Sequence, residues 1–471
     1  MPARRGAAAI MLAAIAVVSM LLAPNAVRAQ NIDYMVTPGD TLWSISTRYL
    51  TDGPSRDNIA ALAKLNRIDD PNRLQPGVQV QLPIALLRMT PGRAQIVETY
   101  GPACIDGKPA SKGATIVEGN RLETDEFGGI LVELADGSRI WIRGASSARI
   151  QRLKSAPDVG YADTGVQIES GRVETFVSKL RGQSRFEIRT PTAKLGVRGT
   201  QFRVWADADG GRAEVLEGQV VAEGSSARRE IAVDAGFGVR VDSAGRAADP
   251  VKLLGAPPLD GVRELYERPL VRVPIGVVGG APASGAAIYR GHVADANSGA
   301  IVASQVVNKA GASSISTEFR FPDLPDGRYN LTARARDRAG IEGFDATRTF
   351  TLKARPEPPF PSVPQAGSTL RGAAVQLAWS DAVGASGYRL QVATDSAFAQ
   401  PLLDRADLNV ARAELPLAPG DYFWRLATIT TKAGRPDQGP FSDPVRFTLR
   451  ALPDTPIPAT PSISTDRVAF A

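Results

Sequence analysis

Cysteine and histidine are nearly absent from this chain: Cys104 and His292 stand alone among 471 residues. A single thiol forms no internal disulfide, so stability has to come from apolar cores. A single imidazole excludes His-paired metal centres, and it removes the base that Ser–His–Asp and Cys–His hydrolases need. The two residues also fall in different predicted domains, so a dyad between them is not expected; a packed thiol and a surface imidazole are. Glycine-rich phosphate loops are missing as well, because stretches such as Val278-Gly279-Gly280 precede linkers rather than helices. No basic block interleaved with aromatics occurs, and the formal charge is only +6, which argues against nucleic acid as a partner. Long apolar runs are confined to Ala7–Ala23, and no later segment approaches the length of a membrane span.

That one apolar run follows Arg4 and Arg5 and leads to Val27-Arg28-Ala29, with small residues at the −3 and −1 positions of a cleavage site. It predicts a signal peptide over 1–29, cut before Gln30, and hence export to the periplasm without stable membrane insertion. No cysteine follows the run, so no lipid anchor is expected. Loss of Arg4, Arg5 and Arg28 with the leader takes the net charge from +6 to +3. An uncleaved anchor is the alternative, since a run of about seventeen residues lies at the short edge of what spans a bilayer.

The length suits about three to four domains in addition to the leader. Proline-rich joints at Ala256-Pro257-Pro258 and Arg355–Pro361 mark boundaries. They divide the chain into 31–84, 92–250, 262–354 and 360–450, with a disordered tail over 451–471 that carries four prolines between Pro453 and Pro461. The overall expectation is a multidomain, mainly β protein with one small βααβ module at its start.

In that first module, Tyr34-Met35-Val36 reads as a strand and Pro38-Gly39-Asp40 as a turn. Asp40 or Thr41 caps a helix over Leu42–Tyr49, and Ser55 caps a second helix through Leu65. Asn66 suits the left-handed position after it, and Val78, Val80 and Leu82 alternate as a returning strand. Trp43, Ile45, Ile59, Leu62 and Leu65 are the expected core. The residues Val36, Gly39-Asp40-Thr41-Leu42-Trp43, Asn66 and Leu74-x-Pro76-Gly77-x-x-x-x-Leu82-Pro83 resemble a LysM module. The resemblance implies binding of N-acetylglucosamine-containing glycan, such as the strands of peptidoglycan, in a groove between two loops. It carries glycan contact onto Gly39, Asp40, Thr41 and Leu42, and onto Asn66, Arg67, Ile68 and Asp69. Each has a plainer role beside it: Gly39 a turn, Asp40 a cap, Leu42 core, Asn66 a helix stop.

The second region reads as a run of short strands. Asp136-Gly137 between the alternating runs Ile130–Leu134 and Ile140–Ile142 is a hairpin signal. Further turns are expected at Ser170-Gly171, Asp209-Gly210-Gly211, Glu217-Gly218, Ala235-Gly236 and Ala244-Gly245. Such punctuation suits a sandwich, a barrel or an irregular β-solenoid. Leu134–Ile140, Phe186–Ala193, Val197–Val204 and Val215–Val220 together resemble a FecR-type domain. The best-known members of that family relay a signal from an outer-membrane receptor to a sigma factor, but they carry a cytoplasmic domain and a transmembrane helix where this chain has a leader and a LysM-like module. Gly199 and Gly218 are expected to be turn or close-packing glycines.

The third and fourth regions echo one another. Phe321–Ala335 and Leu415–Ala427 align on Tyr329 and Tyr422, a sandwich-domain length apart. Both continue through a glycine turn, at Gly340 and Gly434, to a closing strand that ends Phe350-Thr351-Leu352 or Phe447-Thr448-Leu449. They are similar to fibronectin type III or related immunoglobulin-like modules, a fold that specifies no function by itself.

A catalytic constellation is not found. Asp69-Asp70 and Asp125-Glu126 sit in turn-like sequence, and a helical domain bearing a catalytic glutamate is absent. The expected function is therefore a non-enzymatic periplasmic scaffold, tethered to peptidoglycan, that needs no cofactor or metal and presents its β domains to an unidentified envelope protein. A membrane-anchored signalling regulator and a wall hydrolase with an acidic site are the alternatives.

Overall fold

Alternating hydrophobicity dominates the chain, and the fold follows it: apart from two α-helices near the start and two single-turn 3-10 helices, the described residues are strands, turns and loops. The computed structural model describes residues 31–178, 184–226, 229–275, 285–308 and 317–453. The expected signal peptide, Val278–Gly280 and the tail from 454 onward lie outside the described residues.

The first module is βααβ, with β1 (Asn31–Met35), α1 (Leu42–Tyr49), α2 (Arg56–Asn66) and β2 (Gln79–Pro83). β1 and β2 pair antiparallel, Ile32 opposite Leu82 and Tyr34 opposite Val80. Thr41 caps α1 in a reciprocal box with Ser44, and the Ser55 hydroxyl accepts from the Asn58 amide to cap α2. The left-handed residue that ends α2 is Arg67, at φ 54°, rather than Asn66, which remains in the last turn. The core is Ile32, Val36, Leu42, Ile45, Tyr49, Leu50, Leu62, Val80, Leu82 and Leu87. Trp43 and Leu65 are not in it: they are 56% and 38% exposed. The burial stripe on α1 runs through Leu42, Ile45, Ser46 and Tyr49, and Trp43 lies off it.

The second region forms one sheet of sixteen strands around a single core. Its backbone combines short strands with long bent ones: β3 (Gly129–Leu134), β4 (Arg139–Ile142), β5 (Ser146–Ala156), β6 (Tyr161–Phe176), β7 (Arg185–Arg189), β8 (Ala193–Asp207), β9 (Gly210–Gly224) and β10 (Phe237–Asp242), of which β5, β6, β8 and β9 are the long ones. The expected turns at Ser170-Gly171 and Glu217-Gly218 are kinks inside β6 and β9. Gly171 has φ +85°, and a Cβ there would lie 2.3 Å from the Ser146 hydroxyl oxygen. Beyond this kink β6 changes partners, from β5 and the parallel β7 to β4 and β8. Gly218, at φ +77°, sits where β8 and β9 slip register. Glycine-bearing bulges let strands of fifteen or sixteen residues curl around their own core.

Two sandwiches complete the chain. The first packs a five-stranded sheet, including β11 (Ile288–Asp295), β12 (Ile301–Asn308), β13 (Gly327–Arg336) and β14 (Ala346–Leu352), on a pair formed by residues 271–275 and 317–321. The second packs three strands on six, with β15 (Gly420–Lys432) and β16 (Val445–Arg450) in the larger sheet. In each, a tyrosine hydroxyl donates to a carbonyl four residues upstream: Tyr329 to Pro325 at 2.6 Å, and Tyr422 to Ala418 at 2.7 Å. Trp379, Tyr388, Tyr422 and Trp424 are core.

All three joints are packed. Thr90–Pro91 pairs with Lys154–Ser155 of β5, and Ala156 and Tyr161, at the tip of the β5–β6 hairpin, complete the core of the first module. Between the sandwiches, the Lys353 ammonium lies 2.7 Å from Asp437, and the Thr428 hydroxyl donates to the Glu357 carbonyl. Tyr161 is 4% exposed and belongs to two domains at once. Tyr161→Ala is expected to cost about 3 kcal/mol and to release the first module, read as faster proteolysis over 84–92 with the β domains left intact.

Candidate functional site

Two concentrations of polar chemistry stand out. One is the rim of the first module, the other the junction between the sixteen-stranded domain and the first sandwich.

At the rim, the turn 37–41 and the segment 66–73 lie side by side because the Leu42 amide donates to the Pro71 carbonyl at 2.9 Å. Gly39 turns at φ +89° with open space around it. Asp40 is buried, and its carboxylate accepts from the Thr37 amide at 2.8 Å, the Thr37 hydroxyl at 2.7 Å and the Tyr34 hydroxyl at 2.7 Å. Burial pushes the Asp40 carboxyl up, but these hydrogen bonds and the nearby Arg48 outweigh it and hold the group below its usual range. Tyr34 is pushed up to about 12, by burial and then by its bond to Asp40. Thr41 spends its hydroxyl on the α1 cap. Asn66 clips α2 to β2: its Oδ1 accepts from the Gln81 amide at 2.6 Å, and its Nδ2 donates to the Leu62 and Gln81 carbonyls.

Of the eight predicted contacts, Gly39, Arg67 and Asp69 are exposed, and Thr41, Asn66 and Ile68 are partly so. Asp40 and Leu42 are buried, so their side chains shape the loop rather than face solvent. The two four-residue groups are brought together at the Leu42–Pro71 bond. Trp43, one residue from that bond, offers an exposed aromatic face that sequence reasoning had placed in the core. The signal that marks it is helical phase: position 43 falls outside the stripe of Leu42, Ile45 and Tyr49.

The junction is unlike the rim. Arg203 of β8 reaches Asp345 at 3.1 Å and donates to the Glu342 and Gly343 carbonyls at 3.2 and 2.7 Å. Arg334 of β13 bonds to Asp345 at 2.8 Å and to Glu174 of β6 at 2.9 Å. Arg172 pairs with Glu174 at 2.6 Å and lies 3.6 Å from Glu342, while Arg290 lies 3.2 Å from Glu342. The Glu342 amide donates to Glu214 at 3.1 Å. Ile341 inserts beside Gly238, where a Cβ would sit 2.7 Å from its Cγ2. His292 lies in this junction as well, not on the open surface. Burial first, and then Arg172 and Arg143, depress its pKa to about 4. Arg172, Arg203, Arg334, Glu214 and Glu342 are buried while Asp345 is partly exposed, and their pairing ties the two domains to each other.

Residues 34–83 match the family model of the LysM domain, and residues 120–221 match that of the FecR protein. The chain thus carries a LysM domain and a FecR domain, followed by two β-sandwiches. Both matched families are binding or regulatory, and they support an envelope-associated binding or signalling role. No curated protein matches the chain. Among solved structures, a protein described as an anti-sigma factor from Parabacteroides distasonis aligns at 18% identity over 28% of this chain, with a TM-score of 0.24. The alignment spans 59% of that protein's own length. The fibronectin(III)-like modules of Clostridium thermocellum CbhA align at 11% identity over 42% of this chain and 93% of theirs, TM-score 0.18. A two-module fibronectin type III segment of chicken tenascin aligns at 13% identity over 41% and 99%, TM-score 0.20. No helix among the described residues is long and apolar enough to cross a membrane.

The junction gives two expectations. Removing one partner of a buried ion pair leaves the other charge stranded, so Arg203→Met should cost about 3–5 kcal/mol, with raised hydrogen exchange over 337–345 as its mark. The second concerns pH. Burial, opposed by Arg203 but reinforced by Glu342, pushes Glu214 up from 4.5 to about 7. Across that window the folded chain holds more protons than the unfolded one, so this contribution to stability falls as pH rises through 7. His292, lowered from 6.5 to about 4, acts the other way: its contribution falls as pH drops through that range. The two slopes oppose each other in the mildly acidic range, and Glu214 acts alone near pH 7. Denaturant midpoints should therefore decline from pH 6.5 to 8, and Glu214→Gln should flatten the decline.

Proposed function

We propose that the chain is a non-enzymatic, peptidoglycan-tethered scaffold of the periplasm. Its first module binds N-acetylglucosamine-containing glycan, and its β domains meet an envelope protein. The observation that carries the reading is the rim itself: two loops joined at Leu42 and Pro71, backbone groups at Gly39 and Ile68, and Trp43 exposed beside them. An aminosugar presents an acetamide, hydroxyls and one apolar face. Backbone donors and acceptors along a shallow rim suit the first two, and an indole face suits the third. The β domains support the scaffold part of the reading. Their joints are packed, so whatever docks on the sandwiches is held at a set position relative to the wall.

Export is part of the same proposal: Val27-Arg28-Ala29 would yield a mature chain beginning at Gln30. A mature N-terminus found at Met1 would favour an anchored regulator instead. Binding is tested by co-sedimentation of the mature protein with purified peptidoglycan. Trp43→Ala leaves the core untouched and should weaken binding by about 1 kcal/mol, roughly fivefold in Kd. Arg67→Ala should weaken it less. Unchanged sedimentation after replacement of the whole module would refute the tether.

A further inference from the structure

The junction between the FecR domain and the first sandwich contains a second feature, distinct from its closed ion network. A polar cavity of about 190 Å³ lies between the turn 207–211 and the turn 336–340. Its walls bring together Arg212 and Arg240 from one domain and Arg336 and Arg338 from the other. Arg212 is occupied: it bonds to Asp207 at 2.7 Å, donates to the Gly340 carbonyl at 3.1 Å and lies over the Trp205 ring. Arg240, Arg336 and Arg338 have neither an ion pair nor a side-chain hydrogen bond among the described residues. Elsewhere in this junction each guanidinium is paired, so three open ones around one small cavity are out of keeping with their surroundings.

From this geometry we infer a phosphoryl-binding site that bridges the two domains. Guanidinium forks reach the cavity from both domains, and a tetrahedral dianion accepts hydrogen bonds from several directions at once. A planar carboxylate is satisfied by a single fork, and a neutral ligand would leave the open cations unmatched. The carboxylates on the wall are Asp207, already bonded to Arg212, and Asp209. The cavity is too small for a drug-sized ligand, so it takes a phosphate or the phosphoryl end of a larger molecule that remains outside. The half-buried Arg336 supports this. Its own burial, and then Arg212, disfavour its charge, while Glu342, Asp207 and Asp337 only partly offset them. An anion among these groups would remove the repulsion and tie the two turns to each other.

The test is calorimetric titration of the mature full-length protein with pyrophosphate at constant ionic strength, with citrate as the carboxylate control. One saturable site for pyrophosphate is expected, with citrate at least tenfold weaker. Arg338→Ala, an exposed turn residue outside the ion network, should weaken pyrophosphate about tenfold while leaving the melting curve of the free protein unchanged. Arg336→Ala should do at least as much. Citrate binding equal to pyrophosphate would overturn the phosphoryl assignment. Unsaturable heats, or an affinity unchanged in Arg338→Ala, would overturn the site. Both readouts are independent of whether the first module binds peptidoglycan.

Discussion

Arg203, Arg334, Arg172 and Arg290, threaded through Glu174, Glu214, Glu342 and Asp345, set the geometry of the middle of this molecule. Charges buried this deeply are tolerated only while every partner stays in place, because a guanidinium or carboxylate left alone in a dry interface costs several kcal/mol. Such a network adds little net stability over an apolar contact of the same size. What it supplies is direction: a hydrophobic patch can slide, but forked guanidinium–carboxylate pairs close in one arrangement. The insertion of Ile341 against Gly238 fixes the same arrangement from its apolar side. The first sandwich is consequently an extension of the FecR domain rather than a module on a tether.

The same logic runs outward from that joint. On one side the β5–β6 hairpin lends Ala156 and Tyr161 to the LysM core, so a module too small to have bulk to spare borrows it from its neighbour. On the other side, Lys353 and Asp437 pin the second sandwich to the first. On the proposed function, these joints matter more than any single side chain on the rim. Glycan binding gives a location, and packed joints convert a location into a position and an orientation for whatever meets the β domains.

Much of this was legible residue by residue. The capping signals at Thr41 and Ser55 and the Asp136-Gly137 hairpin are local, so they can be read from a few adjacent residues. The paired tyrosines at 329 and 422 were equally visible. Where local reading went astray, a longer-range contact decided the outcome. Gly171 and Gly218 look like turns, but strand partners on both sides carry the chain through them as bulges. Trp43 looks like core, but the helix turns it outward. Asn66 looks like the left-handed stop, but its side chain is held by Gln81, and Arg67 takes the left-handed position instead. Of the rim, the turn at Gly39 and the helix end at Asn66 were legible, whereas the inward commitment of Asp40 and Leu42 was not separable from ligand contact by sequence alone.

The amino-acid sequence by itself determined the β character of the chain, its helix caps and hairpin turns such as Asp136-Gly137, since alternation, capping and glycine placement act over a handful of residues. Only the tertiary structure decided what the charged residues do. Arg203 and Asp345 are 142 positions apart, and nothing in the pattern around either distinguishes it from the many solvated charges of the chain. Their pairing exists because the loop 341–345 packs against β8, and desolvation there leaves the buried Arg203 charge no stable state except with its partners.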